Sequence, residues 1–200
     1  MPTAVIEQLP RPEPLQPPRR RWTRQEVALL ETTGLGNDQP FELIGGELIA
    51  KMPKKRPHTN LLIVVQAWLV DVFGIQYVNP ETSIDIAPED NPTSEPEPDL
   101  IVLSRPSREI RDANPRPQDL RLVVEVSDST LSFDLTTKAD LYARAGIVEY
   151  WVFDVRKRRL IVHRDPESGR YRSVIEYAEH ETVSPLAAPE KEFRLTEAFQ

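Results

Sequence analysis

Residues 122–126 read LVVEV, an apolar, β-branched run interrupted by one glutamate. Runs of this kind form strands covered on both faces, so the chain has to place layers on either side of a sheet. Alternation along the strand sends Leu122, Val124 and Val126 to one face and Val123, Glu125 and Ser127 to the other. A carboxylate in that position needs a partner, a proton or a metal, unless the strand lies at an edge and Glu125 faces water.

A second strand of the same type, DLIVL, occupies residues 99–103 and opens on Asp99 directly after Pro98. Paired with LVVEV, it brings Asp99 and Glu125 side by side on one face. Two converging carboxylates repel unless a cation lies between them, and hard divalent ions such as Mg²⁺ are held by such oxygens with water and substrate phosphate completing the shell. Asp134, Lys138 and Tyr142, spaced i, i+4 and i+8, share one face of a helix predicted over 134–145. If this helix packs back over the strand, Lys138 reaches the carboxylates.

The remaining elements follow from local signals. Residues 1–20 hold six of the twenty prolines and little that could enter a core, which predicts a flexible arm followed by one domain over 21–200. Thr23 and Glu26 form a capping box for a helix from Arg24 to about Thr33. FELIGGELIA, 41–50, reads as a hairpin around Gly45-Gly46. A nearly all-round apolar segment, 58–73, predicts a deeply buried helix, and 77–80 and 82–87 are candidate strands. The polar segment 104–119 carries Arg105, Arg108, Arg111 and Arg116 and is a candidate for touching phosphates. Three antiparallel strands are expected at 148–154, 159–165 and 170–177, with Gly146 capping the helix before them and a short strand or helix at the C-terminus. The regular βαβ rhythm and Gly-rich loop of a nucleotide-binding unit are missing, which points to a mixed-sheet α/β or α+β domain.

Composition narrows the chemistry. With no cysteine there is no disulfide framework, thiol nucleophile or cysteine metal site. The N-terminus has no apolar h-region, and the longest apolar stretch is interrupted by Gln66 and Asp71, predicting a soluble, cytoplasmic protein without a membrane partner. A net charge of −7 argues against coating nucleic acid by bulk electrostatics. Local basic clusters at 19–21, 51–56 and 156–159 read first as solvated loop charge, above all the last, which falls at a hairpin turn.

Pro98-Asp99, VVEVSDST at 123–130, Asp134-x-x-x-Lys138 and the Y-x-x-x-G-x-x-E-Y-W run from Tyr142 to Trp151 together resemble the Uma family of restriction endonucleases in the PD-(D/E)XK nuclease superfamily. GGELIAKMPKKRPH resembles the same family's segment before its first long helix, so the likeness spans roughly residues 22–180. The resemblance implies a restriction-endonuclease-like core, a central mixed sheet flanked by helices, with an N-terminal helix and hairpin. It implies metal-dependent hydrolysis of DNA, with Mg²⁺ or Mn²⁺ held by Asp99, Glu125 and the Val126 backbone carbonyl; Glu47, from the hairpin, matches a family glutamate that could join them, with an outward, solvent-facing glutamate equally open. Ser127 stands where the superfamily's lysine would be, and Lys138 matches the lysine that this branch carries on the next helix. Its implied role is to stabilise the transition state and to position or deprotonate the attacking water. His58 and Asp134 are candidate supporting residues, His58 with a capping or packing role equally open and Asp134 as an i, i+4 partner of Lys138. Tyr142, Tyr150 and Trp151 read as core. A homodimer is plausible for double-strand cleavage. The second reading is a DNA-binding or regulatory module that retains the fold with little turnover.

Overall fold

The computed structural model describes residues 19–34, 39–111 and 113–200. Apart from Arg19 and Arg20, the expected N-terminal arm lies outside the described residues. The centre of the fold is a six-stranded mixed sheet in the order β3-β4-β5-β6-β7-β8. Its strands are β3 (Val78–Pro80), β4 (Leu100–Leu103), β5 (Leu120–Ser127), β6 (Glu149–Asp154), β7 (Arg159–Glu167) and β8 (Arg170–Ala178). Neighbours are antiparallel except β5 and β6, which run parallel. A parallel pair needs a crossover, and the helical segment 131–144 supplies it.

The two-faced burial expected of β4 and β5 is met residue by residue. Leu100, Val102, Leu122, Val124 and Val126 enter one core, beneath helix α2 (Arg56–Phe73) and the C-terminal α5 (Leu195–Ala198). Ile101, Leu103 and Val123 enter the other, beneath the crossover helix. Fully burying each such aliphatic side chain contributes roughly 1.5–3 kcal/mol, and shifting β5 by one residue would exchange the two sets and drive Glu125 into the wholly apolar core.

Helix α1 (Arg24–Thr32) starts on the expected box, with Thr23 Oγ1 accepting from the Glu26 N–H and Glu26 accepting from the Thr23 N–H at 3.0 Å. Strands β1 (Phe41–Ile44) and β2 (Glu47–Ala50) pair antiparallel around Gly45 and Gly46. Both glycines have positive φ, 58° and 81°, and a side chain at Gly46 would collide with Arg21.

Two expectations change. Helix α2 buries only the stripe His58, Leu61, Val65 and Leu69, and Ile63 is 59% exposed, so the helix lies on the sheet with one face in solvent. Residues 82–87 form no strand: Glu81 has φ 45°, and the N–H groups of Ile84, Asp85 and Ile86 go to the Pro96 carbonyl, the Pro115 carbonyl and the Asn91 side chain. Ile84 and Ile86 are nevertheless buried, so the apolar alternation recorded burial in a pinned loop. The C-terminus contains both expected element types, β10 (Phe193–Arg194), paired with β9 (Thr182–Val183), followed by α5.

At the start of β6, Glu149 is fully buried. It accepts from Arg164 Nε and Trp151 Nε1 at 2.9 Å each and from the Leu186 N–H at 2.7 Å. The glutamate of the E-Y-W run thus ties the C-terminal segment to the sheet.

Candidate active site

Pairing of Leu100 with Val124 places Asp99, one residue before β4, beside Glu125. The β4 ladder ends here because residue 98 is proline and has no N–H to give. The Val126 N–H, at this point of the ladder, donates to the Asp99 side chain, at 2.8 Å from Oδ2. A residue in an extended strand directs its N–H and C=O to the same edge, so the Val126 carbonyl faces the edge that Asp99 occupies.

Glu125 lies on the face covered by the crossover helix and is 6% exposed. Lys138 Nζ donates to its Oε1 at 2.7 Å, and the Tyr142 hydroxyl donates to the same oxygen at 3.2 Å. Lys138 therefore covers the distance from its helix to the carboxylate that has Ser127 two residues downstream. Tyr142 is core, as its burial predicted, and also a direct partner of Glu125.

The crossover is not a uniform α-helix. It consists of α3 (Leu131–Phe133), a π turn over Asp134–Lys138 and α4 (Ala139–Arg144). In the π turn the Ala139 N–H reaches back to the Asp134 carbonyl, one residue further than in an α-helix. The Asp134 side chain accepts from Thr130 Oγ1 at 2.7 Å and from the hydroxyl of Ser127. It thus clamps the helix entrance to the end of β5, and the ion-pair partners of Lys138 are Glu125 and Glu42. Gly146, at φ 74°, ends the helix with paired bonds from Gly146 N–H to Ala143 and Ile147 N–H to Tyr142.

Two site residues were not anticipated. Glu42, on β1 and buried, brings Oε1 to 3.0 Å from Lys138 Nζ. Glu47 sits exposed at the turn end of the hairpin; the buried glutamate that the hairpin sends to Lys138 is Glu42. Lys54, from the loop before α2, places Nζ 2.9 Å from Asp99 Oδ1 and also pairs with Glu81. Its one available signal was membership of a basic cluster that includes a residue four positions before His58. His58, in the first turn of α2, has Nε2 3.4 Å from Asp99 Oδ2, and its buried Nδ1 has no partner. The residue capping α2 is Lys55, so His58 faces the site instead.

The electrostatics follow from this packing. Burial opposes ionisation of Asp99, but His58, Lys54 and the Val126 N–H outweigh it and hold the carboxyl well below the usual range. Glu125 is shifted upward, first by burial and then by Asp134, Asp99 and Glu42, with Lys138 opposing. For Lys138, burial disfavours the ammonium, but Glu125, Glu42 and Asp134 prevail and keep it protonated. Four carboxylates, Glu42, Asp99, Glu125 and Asp134, thus share two lysines, Lys54 and Lys138.

Among the described residues, no three His, Asp or Glu side chains converge as a ready-made metal cage. Among them, too, no helix is long and apolar enough to cross a membrane. Of the four arginines of segment 104–119, Arg105 is engaged by Asp119 at 3.0 Å.

A search of solved structures finds the crystal structure of "a putative nuclease belonging to DUF820" from Anabaena variabilis. It superposes with a TM-score of 0.60 over 80% of this chain and 89% of that one, at 15% identity. The mixed sheet flanked by helices is therefore a nuclease-like fold. No curated protein matches the chain. Residues 24–197 match the model of the Uma2 family, described as "Putative restriction endonuclease", and the chain belongs to that family.

Proposed function

We propose that this chain is a metal-dependent endonuclease hydrolysing DNA phosphodiester bonds, with Asp99, Glu125 and Lys138 as its catalytic residues. The observation that carries this reading is the meeting of three sequence-distant groups: carboxylates of adjacent strands and an ammonium delivered by the following helix to the Glu125 oxygen. The donor set fits Mg²⁺ or Mn²⁺: Asp99, Glu125 and the Val126 carbonyl are hard oxygens contributed by adjoining positions of β5 and the residue before β4, and carboxylates there outnumber lysines. A small hard ion of this kind is bound by one or two carboxylates with water and phosphate, so a complete protein cage is not required. When bound, such an ion activates water and neutralises charge on the phosphoryl oxygens.

The protein groups have separable tasks. Lys138, held protonated by two carboxylates, serves as a fixed positive charge for the developing phosphorane, which favours electrostatic stabilisation over deprotonation of water. Tyr142 and Glu42 hold Glu125 and Lys138 at their positions. Asp134 orients the helix that carries Lys138, and the buried location strengthens each interaction by excluding water. His58 and Lys54 set the orientation of Asp99.

The test is cleavage of plasmid DNA in Mg²⁺ or Mn²⁺. The unaltered chain should cut, Asp99→Ala should not, and Lys138→Ala should lose on the order of 10²–10³ in rate, the scale for removing one preorganised stabiliser. Undiminished cutting by both variants would refute the assigned site. Tight DNA binding with no cleavage under any metal would assign the chain to the regulatory reading.

A further inference from the structure

The basic clusters at 51–56 and 156–159, separated by a hundred residues, meet at a single carboxylate. Asp128, the first residue after β5, lies 2.9 Å from Arg156 Nε and 3.5 Å from Lys55 Nζ. Each cation is tethered to the site by its own strand or loop. Lys55 follows Lys54, which is paired with Asp99, and Arg156 follows Val155, whose N–H donates to the Ser127 carbonyl at 3.0 Å. The remaining arginines of the second cluster are turned elsewhere: Arg158 to Glu179, and Arg159 to Asp154 and Glu176. Lys55 and Arg156 are 71% and 65% exposed, whereas Asp128 is 24% exposed. The carboxylate is thus the inner member and the two cations face outward.

We propose that Lys55 and Arg156 form a phosphate-binding rim for the DNA strand beside the candidate catalytic site, with Asp128 occupying the two cations when no substrate is bound. The inference rests on the nuclease reading above and extends it to substrate contact. Three features support it. Asp128, which the two rim cations bracket, is three residues after Glu125, so a strand whose phosphate reaches Glu125 and Lys138 passes the rim with a neighbouring phosphate. Two outward cations sharing one carboxylate leave a positive charge on an otherwise acidic chain of net charge −7. An arginine and a lysine bracketing one oxygen anion present donors to a phosphate without rebuilding the loop.

Binding of a fluorescent DNA duplex, followed by anisotropy in EDTA between about 50 and 200 mM salt, reads the rim directly, because each phosphate contact contributes about 0.9 to the slope of log affinity against log salt. The Lys55→Ala/Arg156→Ala double variant should bind more weakly, with the slope reduced by about 2. Asp128→Asn should bind more tightly than the unaltered chain. Arg172→Ala, on the far edge strand β8, serves as the charge-loss control and should leave the slope unchanged. Matching thermal midpoints will show that the variants fold.

Duplex binding by the unaltered chain with an unchanged slope in the double variant would overturn the rim and leave the nuclease reading standing. Failure of the unaltered chain to bind any DNA or RNA in EDTA would overturn the rim, and failure to cleave in Mg²⁺ or Mn²⁺ as well would overturn the nuclease reading with it. The same loss of slope seen on RNA alone would keep the rim and overturn DNA as its ligand.

Discussion

Replacing Lys138 with methionine removes the one ammonium shared by Glu125 and Glu42 while nearly preserving volume. At contacts of 2.7 and 3.0 Å, each attraction amounts to about 6 kcal/mol at an effective dielectric of about 20, before the desolvation of three buried ions is counted against it. Truncating one member of a buried pair costs about 3–5 kcal/mol net, because the surviving charge stays behind unpaired. Glu125 has an escape, which is to take up a proton. At pH 7 that costs about 3.7 kcal/mol for a glutamate with an unfolded pKa of about 4.3, so the penalty from this residue cannot rise much further.

The sign of the pH effect follows. Without Lys138 the pKa of Glu125, already raised, moves higher, so the folded variant binds a proton that the unfolded chain releases. That contribution to stability is full below the unfolded pKa near 4.3 and declines as pH rises toward the folded pKa. Urea unfolding at pH 5, 6, 7 and 8, followed through the buried Trp151, should show Lys138→Met about 3–5 kcal/mol less stable than the unaltered chain at pH 7. Over the pH range in which Glu125 is ionised in the unaltered chain and protonated in the variant, the gap should narrow by about 1.4 kcal/mol per unit as pH falls. The double variant Lys138→Met/Glu125→Gln should recover part of the loss and flatten the pH dependence. A deficit below about 1 kcal/mol at pH 7, or one that does not vary with pH, would refute the pairing of Lys138 with a buried, ionised Glu125.

Asp99 has the opposite sign: its depressed pKa contributes stability above the unfolded value near 3.9 that disappears as pH falls through the folded value. Asp99→Asn should therefore narrow its stability difference from the unaltered chain as the solution is acidified below about pH 4, measured by acid titration of the unfolding transition. Glu42→Gln should lower cleavage more than tenfold through loss of its hold on Lys138, whereas Glu47→Gln, exposed at the hairpin turn, should cut at the unaltered rate; equal rates in the two variants would contradict the geometry. Glu149→Ala leaves the half-buried Arg164 without its carboxylate and frees the Leu186 N–H and the Trp151 indole N–H, so it should cost about 3 kcal/mol in urea unfolding with DNA binding by the residual folded fraction intact.

The fold was readable where period and burial coincide. The β4 and β5 runs, the Gly45-Gly46 turn, the Thr23 box and the Gly146 cap each follow from local rules that tertiary structure left in force. Residues 82–87 misled because alternation reports which side chains are buried and says nothing about where backbone N–H groups go. In the candidate site, the neighbourhood of Asp99 and Glu125 followed from strand alternation once the two runs were paired, and Lys138 from its place in the motif. Glu42 was hidden because FELI offers no feature that separates its glutamate from that of ELIA; the choice depends on how the hairpin seats against Glu97 and Lys138. Lys54 was hidden in a proline-punctuated loop whose path no periodicity specifies, and the meeting of Lys55 with Arg156 is a product of topology alone.

The wide turn between Asp134 and Lys138 acts as a length adjuster. Ser127 and Thr130 fix the helix entrance through Asp134, while Glu125 fixes the exit through Lys138 and Tyr142. Between these two anchors the π turn takes up one residue more than an α turn would. The residue count from Asp134 to Lys138 in this chain is thus matched to the distance between a strand end and a carboxylate on the same strand, and a helix is made to fit a sheet rather than the reverse.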